Sequence, residues 1–253
     1  MNVVLLAAGF GTRLAALIGD RPKALIELGG ATLLDHILAR VRALDGVARV
    51  VLVSNARFAG HFDAWRCESE ARDVEVLNDG ALDATSRLGA IGDLRFVLDH
   101  IGDAAPLLVL GTDTLLGFPL APMVALAGST DGSVVAVREN PDAADRSRRG
   151  NARLGADGRV LEFVEKPAVP VSPYSAAPFY LFQRGVGARI EAYLAAGGDP
   201  DAPGHFLAWL HARTPVYGWA HEGPLLDVGN PESYADAQRR IAEDPERYGV
   251  LRP

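Results

Sequence analysis

Residues 2–25 read NVVLLAAGFGTRLAALIGDRPKAL, and this stretch decides the fold class. Asn2 to Ala8 is a continuous apolar run, β-branched at Val3 and Val4, that stops at glycine. A run without polar alternation suits a strand covered on both faces, as in a parallel sheet. Gly9-Phe10-Gly11-Thr12-Arg13 follows as a loop at the carboxyl end of that strand, where open α/β sheets bind ligands. Its glycines let backbone approach a ligand closely and turn N–H groups toward an anion. Thr12 adds a hydroxyl donor. Arg13 and Lys23 add positive charge, one as a fork and one as a point charge, and Pro22 stiffens the approach to Lys23. The sum predicts a triphosphate cradle. The chain has no GxxxxGK[ST], and Leu14 stands where a dinucleotide fingerprint has its third glycine, so neither of those phosphate loops is expected.

Outward from this loop, Thr32 to Leu44 places Leu33, Leu34, Ile37, Leu38, Val41 and Leu44 at helical spacing. Buried-strand runs recur at 48–54, 107–111 and 133–137, with helix-like stretches at 58–70, 86–101 and 122–126 between them. Such alternation predicts an α/β fold with a mostly parallel sheet. After Asn140 the texture changes. Residues 141–151 read as an exposed polar loop, 160–164, 178–182 and 216–220 as strands, and 185–196, 206–212 and 232–242 as helices. With no repeat or linker, 1–253 is expected to be one domain. Its first part, to about 140, should bind nucleotide, and its remainder should form a small substrate lobe.

Composition narrows the classes. The 253 residues are 49% hydrophobic and 23% charged, ordinary for a globular chain. A net charge of −7 argues against a broad grip on nucleic acid. The lone Cys67 excludes an internal disulfide and points to a reducing, cytoplasmic setting. The most apolar stretch, 107–126, is broken by Thr112-Asp113-Thr114, Pro119 and Pro122, so no membrane span or membrane partner is expected.

Five segments in order then resemble one family. LLAAGFGTRLAALIGDRPKAL, residues 5–25, resembles the signature of the sugar-phosphate nucleotidylyltransferases. LGTDTL (110–115) is similar to their Gly-Asp-Asn segment, and Glu165-Lys166-Pro167 to their Glu-Lys-Pro. PFYLF (178–182) is similar to their glycine-x-tyrosine strand, and Asp227-Val228-Gly229-Asn230 to their Asp-Ile-Gly-Thr. The resemblance implies a Rossmann-like, GT-A-like nucleotidyltransferase fold. It also implies Mg²⁺-dependent transfer of a nucleoside monophosphate from a triphosphate to a sugar 1-phosphate or related polyol or cyclitol phosphate. The products would be an NDP-sugar and pyrophosphate. A homodimer is compatible with this reading.

The roles implied by the resemblance fall on particular residues. Leu6, Ala8, Gly9, Gly11, Thr12, Arg13 and Lys23 would hold the nucleotide. Asn78, Asp79 and Gly89 stand in the stretch that reads the base, and no glutamine stands among them. Arg13, Lys23 and Asp113 would be catalytic, with Asp113 and Asp227 as Mg²⁺ ligands. Gly150, Glu165 and Lys166 would bind the sugar phosphate. The chain departs from the family pattern at Thr112, Thr114 and Asn230. Two alternatives stand beside this reading. One is a catalytically weakened binding protein for nucleotide or sugar phosphate; the other is a cytidylyltransferase acting on a non-sugar phosphate or phosphonate. His205 is expected to be a surface or capping residue, and Phe206, Trp209 and Leu210 to be core packing.

Overall fold

In the computed structural model, which describes residues 1–249, the chain is α/β with a central, mostly parallel sheet flanked by helices. The last four residues of the expected 1–253 domain lie outside the described residues. The chain divides into two compact units, each assembled from separated segments.

One unit comprises Asn2–Arg87, Leu110–Leu120 and the chain from Gly223 on. The strand Asn2–Leu6 lies parallel to Arg49–Ser54, from Asn2 opposite Arg49 to Leu6 opposite Val53. Arg49–Ser54 in turn pairs in parallel with Val74–Asn78. Val3, Val4, Leu5, Val51, Leu52 and Val53 have no exposed surface, as unbroken apolar runs in a two-sided sheet require. The helix Leu33–Arg42 buries Leu33, Leu34, Ile37, Leu38 and Val41. It starts with a reciprocal cap: Thr32 Oγ1 accepts from the Asp35 N–H, and Asp35 accepts from the Thr32 N–H.

The strand Val74–Asn78 is absent from the sequence reading, because Glu75 interrupts its short apolar run and most of its residues are only half-buried. The expected helix at 86–101 begins later, at Ala90, because Gly89 holds φ at +78°, outside the helical region.

Asn230 occupies the N-cap of the helix Pro231–Glu243, where its Oδ1 accepts from the Ser233 N–H at 2.8 Å. This explains the departure from threonine, since both side chains cap well and asparagine caps slightly better. Asn230→Ala is therefore expected to cost about 1 kcal/mol, and Asn230→Thr only a few tenths, in chemical unfolding monitored by circular dichroism.

The other unit comprises Leu88–Val109 and Ala121–Glu222. Its strands mix directions. Tyr174–Phe182 runs antiparallel to Ser133–Glu139 and to Gly150–Leu154, which pairs antiparallel with Val160–Glu165; Val216–Ala220 lies parallel to Ser133–Glu139. Phe179, Phe182, Ile190 and Phe206 are fully buried, and the Phe182 and Phe206 rings meet edge-on at 5.6 Å. Tyr174–Phe182 starts four residues before the expected Pro178, and its pairing with Ser133–Glu139 shifts register between Ala176 and Tyr180. Proline lacks a ladder donor, so such an irregularity is where a strand tolerates it. The expected loop at 141–151 contains a one-turn helix, Ala143–Arg146, capped by Asp142, and it passes into a strand at Gly150.

Candidate active site

In the first unit, the loop after Asn2–Leu6 is fixed from several sides. Thr112 Oγ1 donates to the Leu6 carbonyl at 2.7 Å, the Ala7 N–H donates to the Val53 carbonyl at 2.9 Å, and Asn55 Nδ2 donates to the Ala8 carbonyl at 2.8 Å. Gly11 holds φ at +60°, a left-handed value that costs glycine nothing. The chain then enters a single 3₁₀ turn, Thr12–Leu14, anchored by the buried Leu14. Thr12 and Arg13 stand exposed on this turn.

Lys23 opens a second 3₁₀ turn, Lys23–Leu25, with Pro22 before it at φ −67° and Ala24 buried behind it. Its side chain is only 15% exposed, yet its Nζ lies 3.1 Å from Asp113 Oδ2 and 4.0 Å from Asp227 Oδ1. The two aspartates are 114 positions apart in sequence. They are brought together because Leu225–Asp227 pairs antiparallel with Thr114–Leu116, Asp227 opposite Thr114, and the Val228 N–H donates to the Asp113 carbonyl at 2.9 Å. Thr114 Oγ1 reaches Asp113 Oδ1 at 3.3 Å, so the residue replacing the family's asparagine still donates to the carboxylate. Thr112 is buried and ties this segment to Leu6, so with the Asn230 cap all three departures have defined structural partners.

Asn78 and Asp79 turn part of their side chains back on the chain. Asn78 Oδ1 accepts from the Gly80 N–H and Asp79 Oδ1 from the Ala81 N–H. In the described contacts this leaves the Asn78 amide NH₂ and the second Asp79 oxygen as the groups able to face a ligand.

In the second unit, Glu165 ends its strand opposite Gly150. The Glu165 side chain is 11% exposed, and Lys166 Nζ lies 3.9 Å from its Oε1. Burial holds the Glu165 carboxyl above the usual range, opposed by the positive charge of Lys166 and by His205. Burial, and next the Glu165 charge, raises the Tyr180 hydroxyl. Lys166 itself sits at φ +47°, a left-handed value that costs a non-glycine residue about 1–3 kcal/mol and concentrates at functional positions. Its N–H is held by the Arg149 carbonyl at 3.1 Å. Gly89, also in this unit, has its own packing reason, since a Cβ there would meet the Pro200 carbonyl oxygen at 2.6 Å.

Among the described residues no group of three or more His, Cys, Asp or Glu is arranged to hold a metal. Asp113 and Asp227 nevertheless suit one. They are hard oxygen donors, 49% and 46% exposed, and an ammonium cation already rests between them. Mg²⁺ characteristically takes one or two protein carboxylates and completes its shell with water and substrate phosphate. No helix among the described residues is long and apolar enough to cross a membrane.

Residues 2–244 match the family model described as nucleotidyl transferase. The chain is 30% identical over 253 residues to the N-acetylmuramate alpha-1-phosphate uridylyltransferase of Caulobacter vibrioides, covering 95% of this chain and 96% of that protein. It is 28% identical over 238 residues to the mannose-1-phosphate guanylyltransferase catalytic subunit beta of Dictyostelium discoideum, covering 92% of this chain and 62% of that one. The chain thus spans somewhat under two thirds of the length of the guanylyltransferases it matches. A UDP-glucose pyrophosphorylase complexed with UDP-glucose superposes with a TM-score of 0.78 at 18% identity, over 96% of this chain and 98% of that one, a likeness of fold. A glycine loop and lysine set beside paired aspartates, on this fold and within this match, mean that the chain belongs to the nucleotidyl transferase family.

Proposed function

We propose that the protein is a sugar-1-phosphate nucleotidyltransferase. An oxygen of the acceptor's phosphate attacks the α-phosphorus of a nucleoside triphosphate. A new P–O bond forms, the bond to the β-phosphate oxygen breaks, and pyrophosphate leaves. The single observation that carries this reading is the Lys23 ammonium set between Asp113 and Asp227, within the unit that holds the Gly9–Gly11 loop. The attacking phosphate is already an anion, so no general base is required, and catalysis reduces to positioning and charge neutralisation. Asp113 and Asp227 would hold Mg²⁺, which when bound neutralises phosphate charge. Lys23 stabilises charge developing on the phosphates, and Arg13, exposed on its 3₁₀ turn, adds a guanidinium fork to the same anion. The backbone N–H groups of Gly9 and Gly11 cradle phosphate, and Asn78 and Asp79 supply one donor and one acceptor for the base.

Glu165 is the acceptor's carboxylate. An ionised carboxyl only accepts hydrogen bonds, which suits vicinal sugar hydroxyls, and Lys166 pairs with the sugar phosphate. The substrates of the relatives, N-acetylmuramate 1-phosphate and mannose 1-phosphate, define the first acceptors to try, with UTP and GTP as donors. The exposed thiol of Cys67 suits the reducing cytoplasm, where nucleoside triphosphates are made. The assignment is tested by pyrophosphate release across these pairs with Mg²⁺. Release that needs both donor and acceptor supports it; release that is indifferent to the acceptor contradicts it.

Glu165 also gives this reading a pH signature. Its raised pKa means that the neutral form appears at higher pH than for an exposed glutamate, and the neutral form is the poorer acceptor of hydroxyl protons. The KM for the acceptor should therefore climb as pH is lowered toward the carboxylate range, while the KM for the triphosphate does not follow it. Glu165→Gln should raise acceptor KM by about tenfold or more at neutral pH and flatten this profile. The comparison is made by steady-state kinetics against wild type at each pH, which cancels the titration of the acceptor's own phosphate.

A further inference from the structure

The Glu165 carboxylate lies between two glycines, neither at a left-handed φ, and for one of them the three nearest atoms that a Cβ would meet all belong to Glu165. Gly150 faces it across the strand pair, where a Cβ would stand 3.0 Å from Oε2. Gly204 faces it from the first turn of the helix Pro203–His211, and a Cβ there would overlap Oε2, lying 2.5 Å from Cδ and 3.3 Å from Cγ. Gly204 is buried and helical, and its φ is not in the left-handed region. Alanine is the better helix former, so the sequence gives up helix propensity at this position. The contact that explains it is with the tip of a side chain. Glu165 has three rotatable bonds and could swing aside if a methyl group appeared, so the fold does not require the glycine. Only the place of the carboxylate does.

The helix start reinforces this arrangement. Ala202 offers no side-chain cap and Pro203 has no N–H, so the first turn presents uncapped backbone beside a carboxylate, a favourable pairing with the positive end of the helix. His205, next along, is half-exposed and adds its field to the same carboxyl. Among the described contacts the Glu165 carboxylate takes no hydrogen bond, and its ion pair with the exposed Lys166 spans 3.9 Å, so glycine space and the helix end define where it stands.

We propose that Gly204 is a positioning residue for acceptor binding: its missing side chain sets the site of the Glu165 carboxylate against the first turn of the helix Pro203–His211. The inference rests on the reading of Glu165 as the carboxylate that binds the acceptor.

The test is a double-mutant cycle of Gly204→Ala with Glu165→Ala, after wild type and Glu165→Gln have been measured with the reactive acceptor. Gly204→Ala is expected to melt at or slightly above the wild-type temperature. Its acceptor KM should rise about tenfold or more, the scale on which a misplacement of about 1 Å acts, while triphosphate KM stays within about twofold. In the Glu165→Ala background, where the overlap no longer exists, adding Gly204→Ala should change acceptor KM by less than about twofold, the signature of two residues acting as one. Should Gly204→Ala fail to fold, recovery of folding in the double variant supports the same contact, and failure of both overturns it. An unchanged acceptor KM in folded Gly204→Ala, or equal losses in both backgrounds, also overturns it. If wild type turns over no acceptor, or Glu165→Gln leaves acceptor KM unchanged, the functional reading of Glu165 fails instead.

Discussion

Asp113→Ala is expected to yield a folded protein whose kcat has fallen by about 10²–10³-fold, the usual loss when one preorganised charge-stabilising group is removed from an active site. The fold should survive because the carboxylate is half-exposed and, among the described contacts, its side chain bonds to Lys23 and, weakly, to Thr114. The strand pairing that brings Asp227 alongside runs through the backbone carbonyl of Asp113, which alanine keeps. Asp113→Asn is the stricter test. It keeps shape and removes charge, so if the aspartate were only a spacer for Lys23 the asparagine variant would retain most turnover. If it neutralises phosphate through a cation, Asn should be nearly as poor as Ala, and the Mg²⁺ concentration needed for half-maximal rate should rise in both.

Lys23→Ala should produce a comparable loss, about 10²–10³-fold in kcat, with a different metal signature. Removing the ammonium takes away the cation that lies 3.1 Å from Asp113 and 4.0 Å from Asp227. Like charges in proximity favour binding of any remaining cation, so the Mg²⁺ requirement should hold or tighten while turnover collapses. Lys23→Arg should rescue little. The guanidinium is a planar fork on a differently shaped stem, and the position is 15% exposed with Ala24 buried behind it, leaving little room for a wider head group. A rise in Mg²⁺ requirement equal to that of Asp113→Ala would mean that lysine acts through the metal site rather than on the phosphates.

Most of the nucleotide side was legible in the sequence because its chemistry is local. A two-sided apolar strand, glycines at its end and a lysine after proline carry their meaning within 24 residues. Asp113 and Asp227 could be singled out only by resemblance, since nothing in either segment says that Thr114 will lie opposite Asp227 in a short antiparallel pair. In the sequence Thr112, Thr114 and Asn230 are departures from the family pattern with no visible reason. The structure gives them a hydrogen bond to the first strand, a hydrogen bond to Asp113 and a helix cap. The strand Val74–Asn78 escaped because a half-buried edge carries too weak a pattern, and the first residues of Tyr174–Phe182 because Pro178 reads as a strand start. Gly204 was hidden most completely. It lies before the helix expected at 206–212, and its role exists only through Glu165, 39 positions earlier.

The central claim is attack at the α-phosphorus by a sugar phosphate, and the most direct measurement follows the label from a triphosphate through one turnover. With the α-phosphate labelled, and Mg²⁺ and the reactive sugar 1-phosphate present, all label should appear in a nucleoside-diphosphate sugar. With the γ-phosphate labelled, all of it should appear in pyrophosphate. Label from the γ-position on the sugar, or α-label released as free monophosphate without the acceptor, would contradict the account.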